Sequence, residues 1–486
     1  MGVLSRRQLL QISGLTAGSG ALAACSSSGE ESTAKRNYLT WWDHQGNQGT
    51  LHKKIFAEFR KRPGGMRVEY TFRNASKMGQ ALQLAKQSNQ LPDVHTNAGL
   101  QIPVPQLIAG GWVAPLDLTD AAMSRLKGHL LDGVHVFDGK VYSFPQFNDR
   151  TYSSATWFNT KLIVKAGLDP NDPPATYDDM RKAARAVRDK IGGSVYGLVW
   201  NAGMPPRMED QINDLAQAGG FEGGGGMLYR TGEFAYHSDP YLNAIELLLS
   251  LAKDKLIMPG ATTFSDEIAR ARWVSGAAGY YIDGPWCPGV VRESFADFAD
   301  SIGVGPILVP ESGMPVHCYA GPQGGVFWLS ANVPAKRAKA ANLLFSDFFT
   351  TKKYFTDLAG WMPQPPLDLS AIPDSIAYPS YKKLAAWMGK QVYLAPSPVV
   401  RNIEVTKVQA ETNQIQPTLG DIVQGALSGD VDDVKGALKD LSDKSAAEQE
   451  RAIKAATAKG AHVSADDYAF PDWKPGQDFT TAMYHK

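Results

Sequence analysis

The sequence predicts an α/β fold built as two lobes, and three observations carry that expectation. Strand-like and helix-like segments alternate along most of the chain, which implies mostly parallel sheets covered by helices on both faces. The chain has 486 residues, whereas single hydrophobic cores stop growing at roughly 250–300 residues. Hydrophobic content is 43% and charged content 20%, ordinary values for a chain that folds and buries a core. The formal net charge is +0 and no basic stretch stands out, which argues against nucleic acid as the partner.

The chain opens with a leader rather than with the fold. Ser5-Arg6-Arg7-Gln8 is followed by an apolar stretch from Leu9 to Ala24, diluted by Gly14, Gly18 and Gly20 and ending in Leu22-Ala23-Ala24-Cys25. Charged, then apolar, then small is the layout of an export signal over residues 1–24. The apolar part is too short and too glycine-rich for a membrane span, and no later segment suits one. Arg6-Arg7 with Leu9-Leu10 resembles a twin-arginine export signal, with Leu9 where phenylalanine is usual. Leu22 to Cys25 resembles a bacterial lipobox. That resemblance implies that Cys25 carries the lipid, becomes the first mature residue and ties the protein to the membrane. Two acyl chains anchor stably where one binds only marginally. The alternative is an ordinary cysteine inside a cleaved leader. Residues 25–36 are polar and lack periodicity, as expected of a flexible tether.

The alternation then begins. Tyr38 to Trp42 has the composition of a buried strand. Thr50 to Arg60 places Leu51, Ile55 and Phe59 at four-residue steps, a helical face. Arg67 to Thr71 alternates like a strand. Lys77 to Ser88 spaces Met78, Leu82 and Ala85 as a helix does. Pro92-Asp93-Val94 starts a short strand. After Phe144-Pro145 the pattern resumes with strand-like Tyr152 to Phe158. Thr176, with Asp179 three residues on, predicts a capped helix running to Lys190. Tyr196 to Trp200 and Ala277 to Ile282 have strand composition, and Pro240 to Asp254 helical spacing. Gly325 to Leu329 is strand-like and precedes a helix from Pro334 to Thr350, with proline in its first turn. From about Pro373 the chain is mainly helical. The glycine-rich Gly219 to Gly226 lacks a Gly-Lys-Ser/Thr ending and is not a phosphate cradle. Besides Cys25 the cysteines are Cys287 and Cys318. An exported chain permits a disulfide between them, and two free thiols are the other option. A two-cysteine metal site lacks supporting spacing, and neither a metal nor a cofactor is expected.

Five stretches, in order, resemble the extracellular solute-binding proteins of ABC importers, in the carbohydrate-binding branch that includes the maltose-binding protein. They are Thr40-Trp41-Trp42-Asp43-His44-Gln45-Gly46 with Ile55 to Phe59; Leu91-Pro92-Asp93-Val94 with Gly110 to Asp117; Gly139 to Pro145 with Trp157 to Lys161 and Pro174 to Asp179; Gly276 to Trp286; and Gly324 to Leu329 with the helix that holds Phe345. The resemblance spans nearly the whole chain after the tether. It implies an α/β, two-lobe periplasmic-binding-protein fold with a ligand cleft between the lobes and crossing hinge strands. Crossings are expected just after Pro145, near Asp300 and near Thr350. Lobe one is then 37–147 and 302–350, and lobe two 148–301 and 351–486. The implied role is to capture a sugar or oligosaccharide outside the cytoplasmic membrane and deliver it to the permease subunits of an ABC importer, as a monomer and without catalysis.

Sugar hydroxyls need planar donors and acceptors, and sugar C–H faces stack on aromatic rings. Strand ends facing a cleft supply both. Asp43, His44 and Gln45 follow the first strand and point toward the cleft, or else Asp43 caps the next helix and His44 is a surface residue. Asn97 either meets ligand or caps a helix. Gln146, Asn148 and Asp149 sit at the first crossing, where they bind ligand or satisfy the hinge backbone. Trp286 matches the family's Gly-Pro-Trp stacking tryptophan; a core position is the alternative. Asp283 bonds ligand or caps the helix after Pro285. Gly324 and Gly325 permit close approach of backbone to ligand, or form a bulge. Trp361 is a second stacking candidate. Trp41 and Trp42 point to opposite faces of a strand, so at most one faces the cleft. Residues around Met204-Pro205-Pro206-Arg207 and the helical C-terminal third depart from any one sugar-binding subgroup. An exported carbohydrate-active enzyme is the rival class, although no acid pair stands out, and neither a Gly-x-Ser-x-Gly elbow nor a His-Glu-x-x-His motif is present. Glycerophosphodiester, polyamine and peptide ligands remain alternatives on the same fold.

Overall fold

A computed structural model of the chain describes residues 36–100 and 102–484. The leader, Cys25 and the tether as far as Lys35 lie outside the described residues.

Two separate sheets form the cores of two lobes. The first has five strands in the spatial order Arg67–Phe72, Tyr38–Asp43, Val94–His95, Trp328–Ser330, Val113–Ala114. Tyr38–Asp43 alternates half-buried and buried side chains, so Leu39 and Trp41 share one face. Trp41 is surrounded by the rings of Phe327 at 4.6 Å, Phe56 at 5.0 Å and Phe349 at 5.4 Å. Helix Gly49–Phe59 covers that face with Leu51, Ile55, Phe56 and Phe59. Trp42, on the other face, is covered by the Arg73 guanidinium at 3.8 Å. Neither tryptophan lines the cleft described below.

The second sheet runs Ile302–Gly305, Ala155–Asn159, Ala278–Asp283, Tyr196–Val199. Every residue of its two inner strands is buried, as expected for strands covered on both faces. Helix Tyr177–Ile191 opens with the expected capping box, in which Thr176 accepts from the Asp179 amide and Asp179 accepts from the Thr176 amide. It packs Met180, Ala184 and Val187 inward. Helices Leu419–Ser428 and Val434–Ala458 add Leu419, Ile422, Val423 and Leu438 to the same core.

Several expectations are corrected. Both sheets are mixed rather than mostly parallel: Trp328–Ser330 runs antiparallel to both of its neighbours, as does Ala155–Asn159. Ile302–Gly305 pairs with Ala155–Asn159 and so belongs to the second lobe rather than the first, because Ile302 and Val304 find their apolar partners there. Lys352–Gly360 goes the other way. Its Tyr354, Phe355 and Leu358 join the first core, with Tyr354 4.9 Å from Phe349. The chain therefore crosses at 145–149, 321–327 and 361–367. At the hinge the outer crossings lie side by side, with the Leu367 amide donating to the Gln146 carbonyl and the Asn148 amide to the Pro365 carbonyl. Pro334 is the N-cap of helix Ala335–Leu344 rather than a first-turn residue, and a π turn, Phe345–Phe349, continues it. The glycine-rich segment folds as a hairpin, Gly223–Gly224 against Met227–Leu228. Gly225 and Gly226 turn it with φ of 55° and 74°, a backbone that suits glycine.

Cys287 and Cys318 are both free and buried, so the possible disulfide is absent. Cys287 begins a helix next to the Arg270–Asp283 pair, whereas Cys318 lies in another sheet beside Asp214. Among the described residues no helix is long and apolar enough to cross a membrane.

Candidate ligand-binding cleft

A cavity of about 850 Å³ is lined by both lobes and the crossing segments. That volume lies in the range of small-molecule sites. The first-lobe wall is the loop that leaves strand Tyr38–Asp43 at its carboxyl end. His44, Gln45, Asn47 and Gln48 line it, joined by Asn97 from beyond Val94–His95. His44 Nδ1 lies 2.8 Å from Thr96 Oγ1. Burial lowers its pKa, against the pull of Asp43, so it serves as a neutral donor and acceptor. The side-chain oxygens of Gln45 and Gln48 are buried without a hydrogen-bond partner.

The second-lobe wall is one face of helix Pro205–Ala218. Arg207, Asp210, Asn213, Asp214 and Gln217 line the cavity, a spacing of three to four residues that a helix stacks on one side. Met208, Ile212 and Leu215 on its other side are buried in the core. Gln217 is clamped by the Tyr319 backbone, donating to its carbonyl at 3.2 Å and accepting from its amide at 3.0 Å. Asp214 accepts from the Ser153 amide at 2.5 Å and the Ser154 hydroxyl at 3.0 Å. Burial pushes its carboxyl up to about 7, with Asp210 adding to the rise. Asp210 is raised too, by burial first and against the pull of Arg207.

Trp286 completes this wall. Its Nε1 donates to Asp283 Oδ1 at 3.1 Å, and the Arg207 guanidinium lies 4.6 Å from its ring centre. Gly284 leaves room for the indole, since a Cβ there would come within 2.3 Å of the ring.

Of the residues singled out in the sequence, His44, Gln45, Asn97, Trp286 and Gly325 line this cavity. The others do not. Asp43 is fully buried, accepting from the Gln45 amide and facing His52 Nδ1 at 2.8 Å. Asp283 is fully buried and paired with Arg270 at 2.6 Å. Both carboxylates end strands, but each has a partner inside the protein, which is what a buried charge requires. Gln146 is buried and accepts from the Tyr354 hydroxyl at 2.8 Å. Asn148 donates to the Leu367 carbonyl, and Asp149 accepts from the Gln323 amide at 2.9 Å. These three serve the hinge, and Asn148 and Asp149 border a separate cavity of about 330 Å³. Gly324 is off the cavity lining. Gly325 makes its close approach to Ser143, 2.1 Å from where a Cβ would be. Trp361 packs beneath Arg292 at 4.9 Å, and its neighbours Pro363 and Gln364 reach the cavity instead.

The sequence reading singled out the start of this wall, at Met204-Pro205-Pro206-Arg207, but not its polar stripe at Asp210, Asp214 and Gln217. It also missed Gln48, Tyr229 and Tyr319. The tyrosines come from remote segments and carried no signal. Among the described residues no His, Cys, Asp and Glu group could hold a metal ion.

The family model for bacterial extracellular solute-binding proteins matches residues 41–354. Similar solved structures include the GacH receptor of Streptomyces glaucescens GLA.O, studied unliganded and with acarbose. It is 17% identical with a TM-score of 0.62, over 84% of this chain and 97% of that one. Maltose-bound MalE3 of T. maritima is 19% identical, TM-score 0.62, over 84% and 98%. An ABC transporter solute-binding protein of Thermotoga lettingae TMO bound with α-D-tagatose is 19% identical, TM-score 0.57, over 87% and 98%. A search of curated proteins gave no match. With the family model spanning well over half of its length and the two-lobed fold in place around the cleft, the chain belongs to the bacterial extracellular solute-binding proteins.

Proposed function

We propose that the protein captures a sugar or oligosaccharide in this cleft and hands it to the permease subunits of an ABC importer, held to the outer face of the cytoplasmic membrane by lipid on Cys25. The observation that carries the reading is the juxtaposition of Trp286 with carboxylate and carboxamide side chains from both lobes around one cavity. An aromatic platform takes the C–H face of a sugar, and planar acceptors and donors take its hydroxyls. The structural neighbours, which hold acarbose, maltose and tagatose, support the same class of ligand.

The test is calorimetric titration of the full-length chain against mono- and oligosaccharides, with glycerophosphodiesters, polyamines and short peptides alongside. A saccharide should bind at micromolar affinity or better and be recovered unchanged. Trp286→Ala should weaken it by about tenfold or more, the scale of a lost stacking contact. Silence across the sugars with binding elsewhere on the panel would end the carbohydrate reading, and consumption of the ligand would make the protein an enzyme. For the anchor, Cys25→Ser should release the protein from membranes on fractionation; retention would count against lipid on that residue.

A further inference from the structure

The helical wall of the cavity carries two carboxylates, Asp210 and Asp214. Asp214 has two protein donors, and both reach the same oxygen, Oδ2. Its Oδ1 receives none among the described residues. Asp210 lies one helical turn away and lines the same cavity. Among the described residues the one guanidinium on this lining is already engaged: Arg207 lies 3.3 Å from Asp210, 3.6 Å from Asp266 and over the Trp286 ring.

The facing wall makes an independent demand of the same sign. Gln48 is 2% exposed and Gln45 9%. Both line the cavity, and both have carboxamide oxygens with no protein partner. A buried acceptor left without a donor costs about 1–3 kcal/mol, so a ligand donor would satisfy these oxygens once either side chain turns into the cavity.

We infer that the cleft selects an aminated sugar, whose ring lies against Trp286 and whose ammonium group faces Asp214 and Asp210. A neutral sugar supplies hydroxyl donors but no positive charge, and Arg207 pairs with Asp210 and Asp266 rather than with Asp214. An ammonium supplies donors and the missing positive charge together, and hydrogen bonds between charged groups are about twice as strong as neutral ones. The same surroundings raise the Asp214 carboxyl, burial first and then the neighbouring Asp210. The inference rests on the carbohydrate reading above and narrows it.

The experiment compares chitobiose, which carries free amines, with its diacetylated form and with cellobiose, by titration calorimetry on the full-length chain at neutral pH; spermidine is the sugar-free control. Chitobiose should bind tighter than both neutral disaccharides by about tenfold or more. Asp214→Asn should erase that preference, bringing chitobiose to the level of the neutral pair. Equal or tighter binding of a neutral disaccharide overturns the inference while leaving the carbohydrate reading intact. So does a preference that survives Asp214→Asn. Spermidine binding with every sugar silent overturns both. The ligand comparison on the unaltered chain needs no variant, so a poorly folding Asp214→Asn leaves it decisive.

Discussion

Replacing Asp283 by alanine should cost this protein about 3–5 kcal/mol of stability, the penalty for stranding a buried charge. Arg270 Nη2 and Asp283 Oδ2 are 2.6 Å apart, with side chains 5% and 0% exposed. Burial pulls the Arg270 pKa down, but Asp283, Tyr281 and Cys287 together outweigh it and the net direction is up. An arginine guanidinium stays protonated in proteins and cannot relieve the loss by shedding a proton. Asp283 also accepts from the Gly284 amide at 2.8 Å and from Trp286 Nε1 at 3.1 Å, so the substitution frees the indole at the cleft as well. Equilibrium urea unfolding, followed by tryptophan fluorescence and far-UV circular dichroism, measures the cost. The double variant Arg270→Met, Asp283→Leu separates the pair from its site. It removes both charges and fills the volume, so it should be clearly more stable than the single variant, the remaining loss reflecting the Gly284 and Trp286 donors left unpaired. A single variant that loses less than about 1 kcal/mol, or a double variant no better than the single, would refute the argument that mutual neutralisation holds the two groups there.

Two further outcomes are expected. Gly420→Ala would place a Cβ 1.8 Å from the Pro205 carbonyl oxygen, forcing apart helices Leu419–Ser428 and Pro205–Ala218. It should lower stability by about 1–3 kcal/mol in thermal or urea unfolding, and the opposite sign, the usual helical gain of alanine over glycine, would show that the contact yields. Burial holds His95 at about 4 against its ordinary 6.5, with the Thr96 carbonyl opposing, and His135 is held at about 4 for the same reason. A depressed value in the fold means that the unfolded chain takes the proton first. Stability is then whole above pH 6.5 and lost as pH falls toward 4, by at most roughly 3 kcal/mol for each residue. His95→Gln should remove its share of that slope, and an unchanged pH profile of unfolding would contradict the assignment.

Much of the fold was legible because its elements are local. Four-residue apolar steps anticipated helix Gly49–Phe59, and Thr176 with Asp179 anticipated the cap of helix Tyr177–Ile191. Pairing partners were not legible in the same way. Ile302–Gly305 is a short apolar run that either sheet could take, and contact with Ala155–Asn159 decided the matter. The site divided along the same line. His44 and Gln45 follow a strand directly, so the chain itself carries them to the cleft, and Gly-Pro-Trp carries Trp286 there. Asp43 and Asp283 looked equally suited in type and position, but Arg270 lies 13 residues from one and His52 nine residues from the other, and only folding shows that these partners claim the carboxylates.

By itself, then, the sequence determined the alternating α/β elements and the need for two lobes, because periodicity and core size are properties of the chain. The tertiary structure alone decided which strands share a sheet, where the chain crosses, and which polar side chains stay unpaired in the cleft. Those depend on contacts between segments such as Pro205–Ala218, Tyr319 and Gln48, and the free energy of a buried polar group is set by the neighbour that folding brings to it rather than by its own identity.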